Sequence, residues 1–539
     1  MDIPVNLFFW LMGTVPIILL IIFMVILQWG ALKAAPTTLL ITIMLSMTVF
    51  RGSLTVIGVE LLRASWSSLS IILVILTAIL LYEVSNEVNA FETLNRLFKT
   101  VAPNELIRIL LIGVVFASFL QGVTGFGVPV LVTAPLLVQI GVAPMWAVII
   151  PLVGHSWAGT FGTLAIAWEA LLDQFVVEGA AFLSSTAFFA ALFLLILTVS
   201  ANFFIAYAYG KMKAVKKGFV AIILISLVQG GGQLVMSQIN PELASFLPSA
   251  LTLMMIILLS KSGLYNKDWA LEDSRIMLAR SEEDKPVRKM RESKPTMSVL
   301  QSLVPYILMT VITLTGLLFT PLNALLRGVS FGPDFIETTT GYGVVNPAVE
   351  NFSPIYPFVH AGMFLFLSAL LSFLYYKKKN LVFSENPVRG VLTRTLRKAM
   401  SPSIAVLSLL AISRVMAGTG QTMVLAEGMT IVLGSYYTSV APFVGLLGSF
   451  ITGSNMSSNI LFGNFQYLTA DFIGLNVPAV VGAQTAGGAI GMSLAPGNVV
   501  LGTSATGILG SEGKVLIKII PFTITVAVII GIVMLLLHI

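Results

Sequence analysis

Two short stretches of the sequence concentrate the groups that can hold a small anion. The later stretch is Ser454-Asn455-Met456-Ser457-Ser458-Asn459, with five polar side chains in six residues among apolar neighbours. The earlier stretch, 121–129, reads QGVTGFGVP. Glycine lets the N–H groups of a helix start approach a carboxylate closely, and hydroxyl side chains add neutral donors. The predicted anion ligands are Gly122, Thr124, Gly125, Gly127, Ser454, Asn455, Ser457, Ser458 and Asn459.

The two stretches belong to a repeated pattern of glycine and proline. Gly122 precedes Gly159 by 37 residues, Gly453 precedes Gly488 by 35, and each interval contains a Gly…Pro signal. Paired segments interrupted in this way mark the site of many secondary transporters, where half-helices and unwound backbone meet near the membrane midplane. Small residues also allow close helix packing, which is the better explanation for any single glycine. The two clusters together favour a binding site.

A few other residues could supply charge or carry a proton. Arg414 has apolar neighbours and could clamp a carboxylate, or it could reach a helix end or pair with Glu427. The ordinary pKa of histidine suits a proton carrier, but a hydrogen-bonded packing role explains His155 equally simply. Glu169 and Asp471 are either relay groups or residues at the rim of the membrane region.

The elements that must position these residues are membrane helices. Apolar residues make up 57% of the 539 positions and charged residues only 10%, against roughly 25% charged in soluble domains. A spanning helix needs roughly 20 apolar residues, and such runs follow one another along the chain. Cysteine is absent from the sequence, which excludes disulfides, thiolate metal sites and cysteine nucleophiles.

The predicted fold class is an all-α polytopic membrane protein with about twelve or more transmembrane helices. Strong spans are expected at 7–28, 37–50, 68–84, 106–120, 181–209, 218–237, 243–260, 300–325, 354–376, 402–417, 438–452 and 515–537. The regions 119–168 and 448–510 are apolar but rich in Gly, Pro, Ser, Thr and Asn. Backbone that leaves the helix at membrane depth must be buried or line a cavity, so we expect interrupted or re-entrant helices there.

Charge divides the chain into two transmembrane halves, 1–260 and 299–539, joined by a charged linker at 261–298. Short loops rich in Lys and Arg stay in the cytoplasm. The loops predicted to be cytoplasmic are 211–217, 261–298 and 377–398. The acidic loop 327–353 then falls outside.

At these motifs the sequence resembles the L-lactate permease family of bacteria and archaea. FLQGVTGFGVPV at 119–130 is similar to that family's Gly-Phe-Gly-x-Pro signature, and GSFITGSNMSSNILFGNFQ at 448–466 is similar to its C-terminal signature. The similarity runs over essentially the whole chain. The resemblance implies a multi-pass carrier in a prokaryotic cell membrane, with an inverted-repeat, elevator-like fold. It also implies uptake of 2-hydroxymonocarboxylates such as L-lactate, D-lactate and glycolate together with protons.

The chain departs from the family pattern at two positions, because Gln121 and Asn455 stand where the family carries an acid. A carboxylate is the natural proton carrier of a symporter, so these departures bear on the coupling ion. We expect cation symport, with the proton as first choice. Sodium coupling, uncoupled transport and a different anion stay open. The candidate coupling residues are Gln121, His155, Glu169 and Asp471.

Other functional classes have less support in the sequence. The three histidines, His155, His360 and His538, are scattered and form no metal constellation, so neither an enzyme nor a cofactor is predicted. The net charge of +6 sits mainly in connecting segments, which indicates membrane orientation and not nucleic-acid binding. An anion channel is the closest rival, since channel filters also use glycine-rich backbone. A homodimer is compatible with the sequence.

Overall fold

The protein is almost entirely helical. A computed structural model describes residues 3–27, 29–125, 127–175, 179–271, 273–278, 297–382 and 386–537. The linker 261–298 therefore lies outside the described residues at 272 and 279–296. The described strands form one antiparallel pair, β1 (Thr338–Thr339) and β2 (Val345–Asn346), in the loop predicted to lie outside. The predicted all-α class is confirmed.

The first half of the chain contributes twelve α-helices, several of them started by a proline or by a capping Asn or Ser. They are α1 (Leu7–Ile21), α2 (Ala31–Thr48), α3 (Leu54–Glu87), α4 (Ala90–Val101), α5 (Glu105–Leu110), α6 (Ala117–Val123), α7 (Val128–Gln139), α8 (Pro144–Gly154), α9 (Gly162–Leu172), α10 (Ala180–Ser226), α11 (Gly232–Ile239) and α12 (Phe246–Ser260). Short π segments at Ile22–Ile26, Leu111–Phe116 and Leu227–Gly231 join neighbouring helices, and 3₁₀ turns occupy Ser156–Gly159 and Pro241–Leu243.

The second half of the described chain contributes eleven α-helices. They are α13 (Val299–Ser302), α14 (Val304–Leu318), α15 (Thr320–Leu326), α16 (Ala361–Lys378), α17 (Pro387–Gly418), α18 (Gln421–Leu433), α19 (Tyr437–Thr452), α20 (Asn455–Ile473), α21 (Val477–Met492), α22 (Pro496–Ala505) and α23 (Glu512–Leu536). A 3₁₀ turn at Gly434–Tyr436 separates α18 from α19.

By length and composition, the described residues contain fewer candidate spans than the twelve that the sequence predicted. Ten helical segments are long and apolar enough to cross a membrane, or eleven if α14 and α15, bent by 84°, form one broken span. One of the ten, Ala180–Ile239, has 60 residues and breaks at Gly210 and Lys211. Its two parts pack side by side, with Asn202 Nδ2 donating to the Ser226 hydroxyl at 3.2 Å, so this segment contains both predicted spans 181–209 and 218–237. The predicted span 354–376 corresponds to α16, which ends in two lysines and is not among the ten.

The two glycine-rich regions share one order of elements. In each, a helix ends near left-handed glycine, a second helix leads to a Gly…Pro turn, and a third helix gives way to a break and a fourth. The glycines Gly141 and Gly474 adopt φ of 95° and 73° at equivalent turns. This shared order places the motifs of both regions at helix ends.

The two regions pack against each other reciprocally. The last helix of the first region, α9, contacts α20, while the last helix of the second region, α22, contacts the equivalent α7. The 3₁₀ turn Ser156–Gly159 of the first region lies against α21 of the second. In each region, the last helix therefore packs against the second helix of the other region.

Outside this pair of regions, α3 packs along α17 in antiparallel fashion. At one end, Arg394 of α17 donates to Glu83 of α3 at 2.7 Å. At the other end, Arg63 of α3 donates to the carbonyl of Pro347 at 2.9 Å, in the acidic loop after α15. The basic segment before α17 and the acidic loop therefore lie at opposite ends of the helix pair, which agrees with their predicted placement on opposite membrane faces.

Candidate functional site

A buried cavity lies where the two glycine-rich regions meet. Its volume is ≈ 50 Å³, against about 10–15 Å³ for a space that holds one water molecule. The lining residues come from both regions: Gln121, Gly125, Gly127, His155, Gly159, Gly162, Thr163, Ile166, Ala167, Gly453, Ser454, Asn455, Met456, Met492 and Asn498. The cavity is thus large enough for an organic molecule of a few heavy atoms.

Glycine is required where the first region borders this cavity. Gly125 and Gly127 have φ of 57° and 79°, a conformation that other residues rarely adopt. A Cβ atom on Gly125 would lie 2.4 Å from the Thr163 hydroxyl, and one on Gly127 would lie 2.4 Å from a methyl of Leu501. Gly127 is also the N-cap of α7, so the unpaired N–H groups at the N-terminus of that helix lie at the cavity edge.

On another side of the cavity, a segment of the first region departs from right-handed helical geometry. Thr163, Leu164 and Ala165 have φ of 52°, 53° and 64° at the start of α9, the left-handed region that L-residues seldom occupy. Such conformations persist only where the surrounding structure holds them, and they cluster at functional sites. The unwound segment brings backbone and the Thr163 side chain to the cavity.

The second region presents the start of α20 to the cavity. Gly453 has φ of 89° and ends α19, and the Ser454 hydroxyl accepts a hydrogen bond from the backbone N–H of Ser457 at 3.1 Å. The first N–H groups of a helix lack partners within the helix and carry a partial positive charge. Because Ser454, Asn455 and Met456 all line the cavity, this positive end faces it.

Two asparagines of α20 connect the two regions through hydrogen bonds. Asn455 Nδ2 lies 3.2 Å from the Thr160 hydroxyl and 3.3 Å from the Thr485 hydroxyl. Asn459 Nδ2 donates to the Thr485 hydroxyl at 2.9 Å and to the carbonyl of Ala167 at 2.8 Å. Hydrogen bonds of this kind between helices fix the relative position of α9, α20 and α21.

A second buried network holds α20 against its own region. The Ser458 hydroxyl donates to the carbonyl of Gly445 at 2.8 Å, and Gln484 Nε2 donates to the Ser458 hydroxyl at 3.1 Å. Gln484 in turn accepts from Gln466, which accepts from the Tyr437 hydroxyl at 2.6 Å. This chain of bonds connects α19, α20 and α21 and does not open on the cavity.

The predicted anion ligands therefore fall into two groups. Gly125, Gly127, Ser454 and Asn455 line the cavity, as do the predicted coupling residues Gln121 and His155. The remaining ligands of the two stretches lie behind the wall: Gly122, Thr124, Ser457, Ser458 and Asn459. Gly122 packs on Phe246, and the Thr124 hydroxyl donates to the carbonyl of Leu120 at 2.9 Å.

Arg414 lies at a different place from the one expected for a substrate ligand. Its guanidinium donates to the carbonyl of Asp173 at 2.5 Å and lies 5.1 Å from the ring centre of Phe352. Glu427, the partner that the sequence allowed, is not its hydrogen-bond acceptor among the described residues. Arg414 thus ties α17 to the end of α9 and is not one of the residues that line the cavity.

Two predicted coupling acids also lie away from the cavity lining. Asp471 is exposed near the far end of α20, 16 residues after Asn455, which is about 24 Å along a helix. Glu169 is exposed on α9, two residues beyond the lining residue Ala167. Neither acid lines the cavity, and the rim and relay interpretations both stay predictions.

His155 remains at the cavity with one ring nitrogen engaged. Its Nδ1 hydrogen-bonds the carbonyl of Pro151, one turn back in α8, and the residue is 2% exposed. A carbonyl only accepts, so Nδ1 carries the proton in the neutral ring and Nε2 is the acceptor. The packing role and a contact with a bound molecule are thus both available to this side chain.

Several lining residues were missed from sequence. Thr163 lies in the glycine-rich region 119–168, but a β-branched residue gives no sign that it will adopt a left-handed conformation. Asn498, Met492 and Ile166 reach the cavity because α22 and α9 follow breaks in the chain. The signal available for Asn498 was Pro496, which begins α22.

The described lining residues include no Asp, Glu, Lys or Arg. Positive potential in the cavity therefore comes from the starts of α7 and α20, and hydrogen-bonding capacity comes from Gln, Ser, Thr, Asn and His side chains. Ile166, Ala167, Met456 and Met492 supply an apolar portion. Such a lining suits a small anion that also has a hydroxyl and a short apolar group.

Comparison with known proteins gives one family. The L-lactate permease family model matches residues 10–539. The L-lactate permease of Halalkalibacterium halodurans is 26% identical over 521 residues, which cover 93% of this chain and 91% of that protein. Glycolate permease GlcA of Escherichia coli strain K12 is 25% identical over 567 residues, covering 98% and 95%.

Among solved structures, the YdaH transporter of Alcanivorax borkumensis is similar with a TM-score of 0.44 and 11% sequence identity, over 89% of this chain and 87% of that one. The family match rests on sequence and extends over nearly every residue. The chain belongs to the L-lactate permease family and is a multi-pass membrane transporter, not an enzyme.

Proposed function

We propose that the protein is a secondary active carrier of 2-hydroxymonocarboxylates, with L-lactate, D-lactate and glycolate as substrates. The observation that carries this proposal is the uncharged, donor-rich cavity at the starts of α7 and α20. A carboxylate there meets backbone N–H groups and the positive ends of two helix dipoles. Family membership and the names of the similar permeases support the same substrate class.

The remaining lining groups account for the other parts of such a substrate. A 2-hydroxyl can exchange hydrogen bonds with neutral side chains such as Gln121, Thr163 and Asn498. The methyl group of lactate fits against Ile166 or the two methionines, and glycolate leaves that contact unused. Larger apolar tails exceed the space of ≈ 50 Å³.

Transport in this proposal moves the two glycine-rich regions, as one unit, relative to α3 and α17, so that the cavity faces each side of the membrane in turn. A cation gradient drives uptake. The proton is the family's expectation, while the neutral residues Gln121 and Asn455 leave sodium and uncoupled transport as alternatives. The cytoplasmic placement of 211–217, 261–298 and 377–398 belongs to the same proposal.

Uptake of labelled lactate into proteoliposomes tests the function. Ser454→Ala removes the cap of α20 and one lining hydroxyl, and should raise the half-saturation concentration roughly fivefold to tenfold, since a cap contributes about 1 kcal/mol. Ser53→Ala is the matched control, because Ser53 caps α3 by accepting from Val56 at 3.2 Å, away from the cavity. It should leave the half-saturation concentration unchanged.

Two results would reject the proposal. The first is wild-type protein that takes up no 2-hydroxymonocarboxylate in a saturable way. The second is a current that rises linearly with voltage without exchange of labelled substrate, which indicates a channel. Equal effects of Ser454→Ala and Ser53→Ala would move the site away from α20.

A further inference from the structure

Three buried oxygen atoms next to the cavity have no hydrogen-bond partner among the residues that the structure describes. They are Asn455 Oδ1, Asn459 Oδ1 and Ser449 Oγ, on side chains that are 1%, 0% and 0% exposed. Buried polar atoms are satisfied in the great majority of cases, so three unsatisfied oxygens in one place call for a specific explanation. All three are acceptors or can act as acceptors.

Two of these oxygens lie near one point beside Gly488, and the third belongs to the next turn of α20. Asn455 Oδ1 and Ser449 Oγ lie 1.9 Å and 3.3 Å from the position that a Cβ atom on Gly488 would occupy. The amide groups of Asn455 and Asn459 both contact the Thr485 hydroxyl, at 3.3 Å and 2.9 Å. The absence of a side chain at Gly488 thus leaves room for the oxygen atoms of α19 and α20 to approach each other.

The orientation of one amide is fixed by its surroundings. Asn459 Nδ2 donates to the carbonyl of Ala167 at 2.8 Å, and a carbonyl can only accept. Asn459 Oδ1 is therefore the atom left without a partner, and turning the amide over would place two acceptors together. The unsatisfied oxygen is a property of the packing and not of the labelling of the amide.

The chemistry of the cluster indicates its ligand. Amide carbonyl and hydroxyl oxygens are hard, neutral donors that suit a hard cation. No carboxylate is a member of the described cluster, and sites for divalent cations use carboxylates. Amides and hydroxyls do not take up protons near neutral pH, so the cluster is not a proton carrier.

We propose that a sodium ion binds to the amide oxygens of Asn455 and Asn459 and the hydroxyl of Ser449, with the hydroxyls of Thr160 and Thr485 beside it. This inference rests on the proposed function, because it names the coupling ion of the same transport site. Asn455 connects sodium binding with substrate binding, since it lines the cavity and also belongs to the cluster of unsatisfied oxygens. A cation there attracts a carboxylate at the start of α20 strongly, because the surroundings have a low dielectric constant.

Ser449→Ala tests the site most cleanly. The Ser449 hydroxyl makes no hydrogen bond among the described residues, so its removal costs the fold nothing while it removes one sodium ligand. Binding of ²²Na⁺ to the detergent-purified protein, without substrate, should weaken at least tenfold. Ser368→Ala is the control, because Ser368 is equally buried and donates only to its own helix, at 2.6 Å to Phe364.

Uptake measurements complete the test. An inward sodium gradient at equal pH on both sides should raise wild-type lactate uptake at least fivefold over choline or potassium, and Ser449→Ala should require higher sodium for the same rate. Saturable lactate uptake without ²²Na⁺ binding would overturn the sodium site and leave the proposed function standing. Bound ²²Na⁺ that Ser449→Ala abolishes, with no uptake of any 2-hydroxymonocarboxylate, would support the site and reject the substrate.

Discussion

The two glycine-rich regions reach the same cavity by different means. The first contributes glycine backbone at Gly125 and Gly127, where a side chain has no room. It also contributes the side chains of Gln121, His155 and Thr163. The second contributes a capped helix start and polar side chains, through Ser454 and Asn455. A shared order of elements therefore does not require shared chemistry. The first region should be sensitive to added bulk, and the second to changed polarity or charge.

The largest effect is expected from added bulk in the first region. Gly127→Ala places a Cβ atom 2.4 Å from a terminal methyl of Leu501 and 3.2 Å from the lining side chain of Asn498, so these side chains must shift. The substitution also strains the backbone at the cavity edge, because φ of 79° is rarely adopted by L side chains. Lactate uptake should fall at least a hundredfold. Gly497→Ala is the control, because that glycine on α22 has nothing within 4 Å of the added atom. Normal uptake by Gly127→Ala would contradict the expectation that the first region is sensitive to added bulk.

A change of charge in the second region should produce an intermediate effect. Ser454→Asp keeps a capping side chain at the start of α20 but puts a carboxylate at the cavity, which repels the substrate when ionised and not when protonated. Uptake at neutral pH should fall roughly tenfold and recover as the pH is lowered, whereas a loss caused by misfolding would not recover. The measurement is the initial rate of uptake from pH 5 to 8, with wild-type protein measured in parallel. A pH profile equal to that of wild type would place Ser454 away from the substrate.

The smallest effect is expected from a polar side chain of the first region. The Thr124 hydroxyl donates within its own helix and does not line the cavity. Thr124→Ala should therefore change the half-saturation concentration less than twofold. Ser454→Ala measured in parallel provides the contrast. A loss in Thr124→Ala as large as in Ser454→Ala would show that the substrate site extends behind the cavity wall in the first region.

Much of the fold and part of the site followed from the sequence. Glycine and proline spacing located both regions, because such residues interrupt membrane helices wherever they lie. The spacing did not decide which side chains face the cavity. On α20, the Ser458 hydroxyl donates to α19 and the Asn459 amide donates to α9. The Ser457 hydroxyl accepts from that of Ser454 at 2.9 Å.

The hydrogen-bond partners of isolated polar residues could not be predicted from the sequence, for a different reason. Arg414 is recognisable as a charge in apolar surroundings, but its acceptor, the carbonyl of Asp173, lies 241 positions away in the chain. Nothing local indicates that contact.

The junction between α17 and the end of α9 would have a kinetic consequence in the proposed transport cycle. Besides the bond from Arg414 to Asp173, the Ser413 hydroxyl donates to Gln174 Oε1 at 2.9 Å. Because α17 is packed along α3, the displacement that we propose must break both bonds before the opposite face can open. Under that proposal, the two bonds add to the activation barrier of the crossing step, so they affect turnover and not the affinity for substrate.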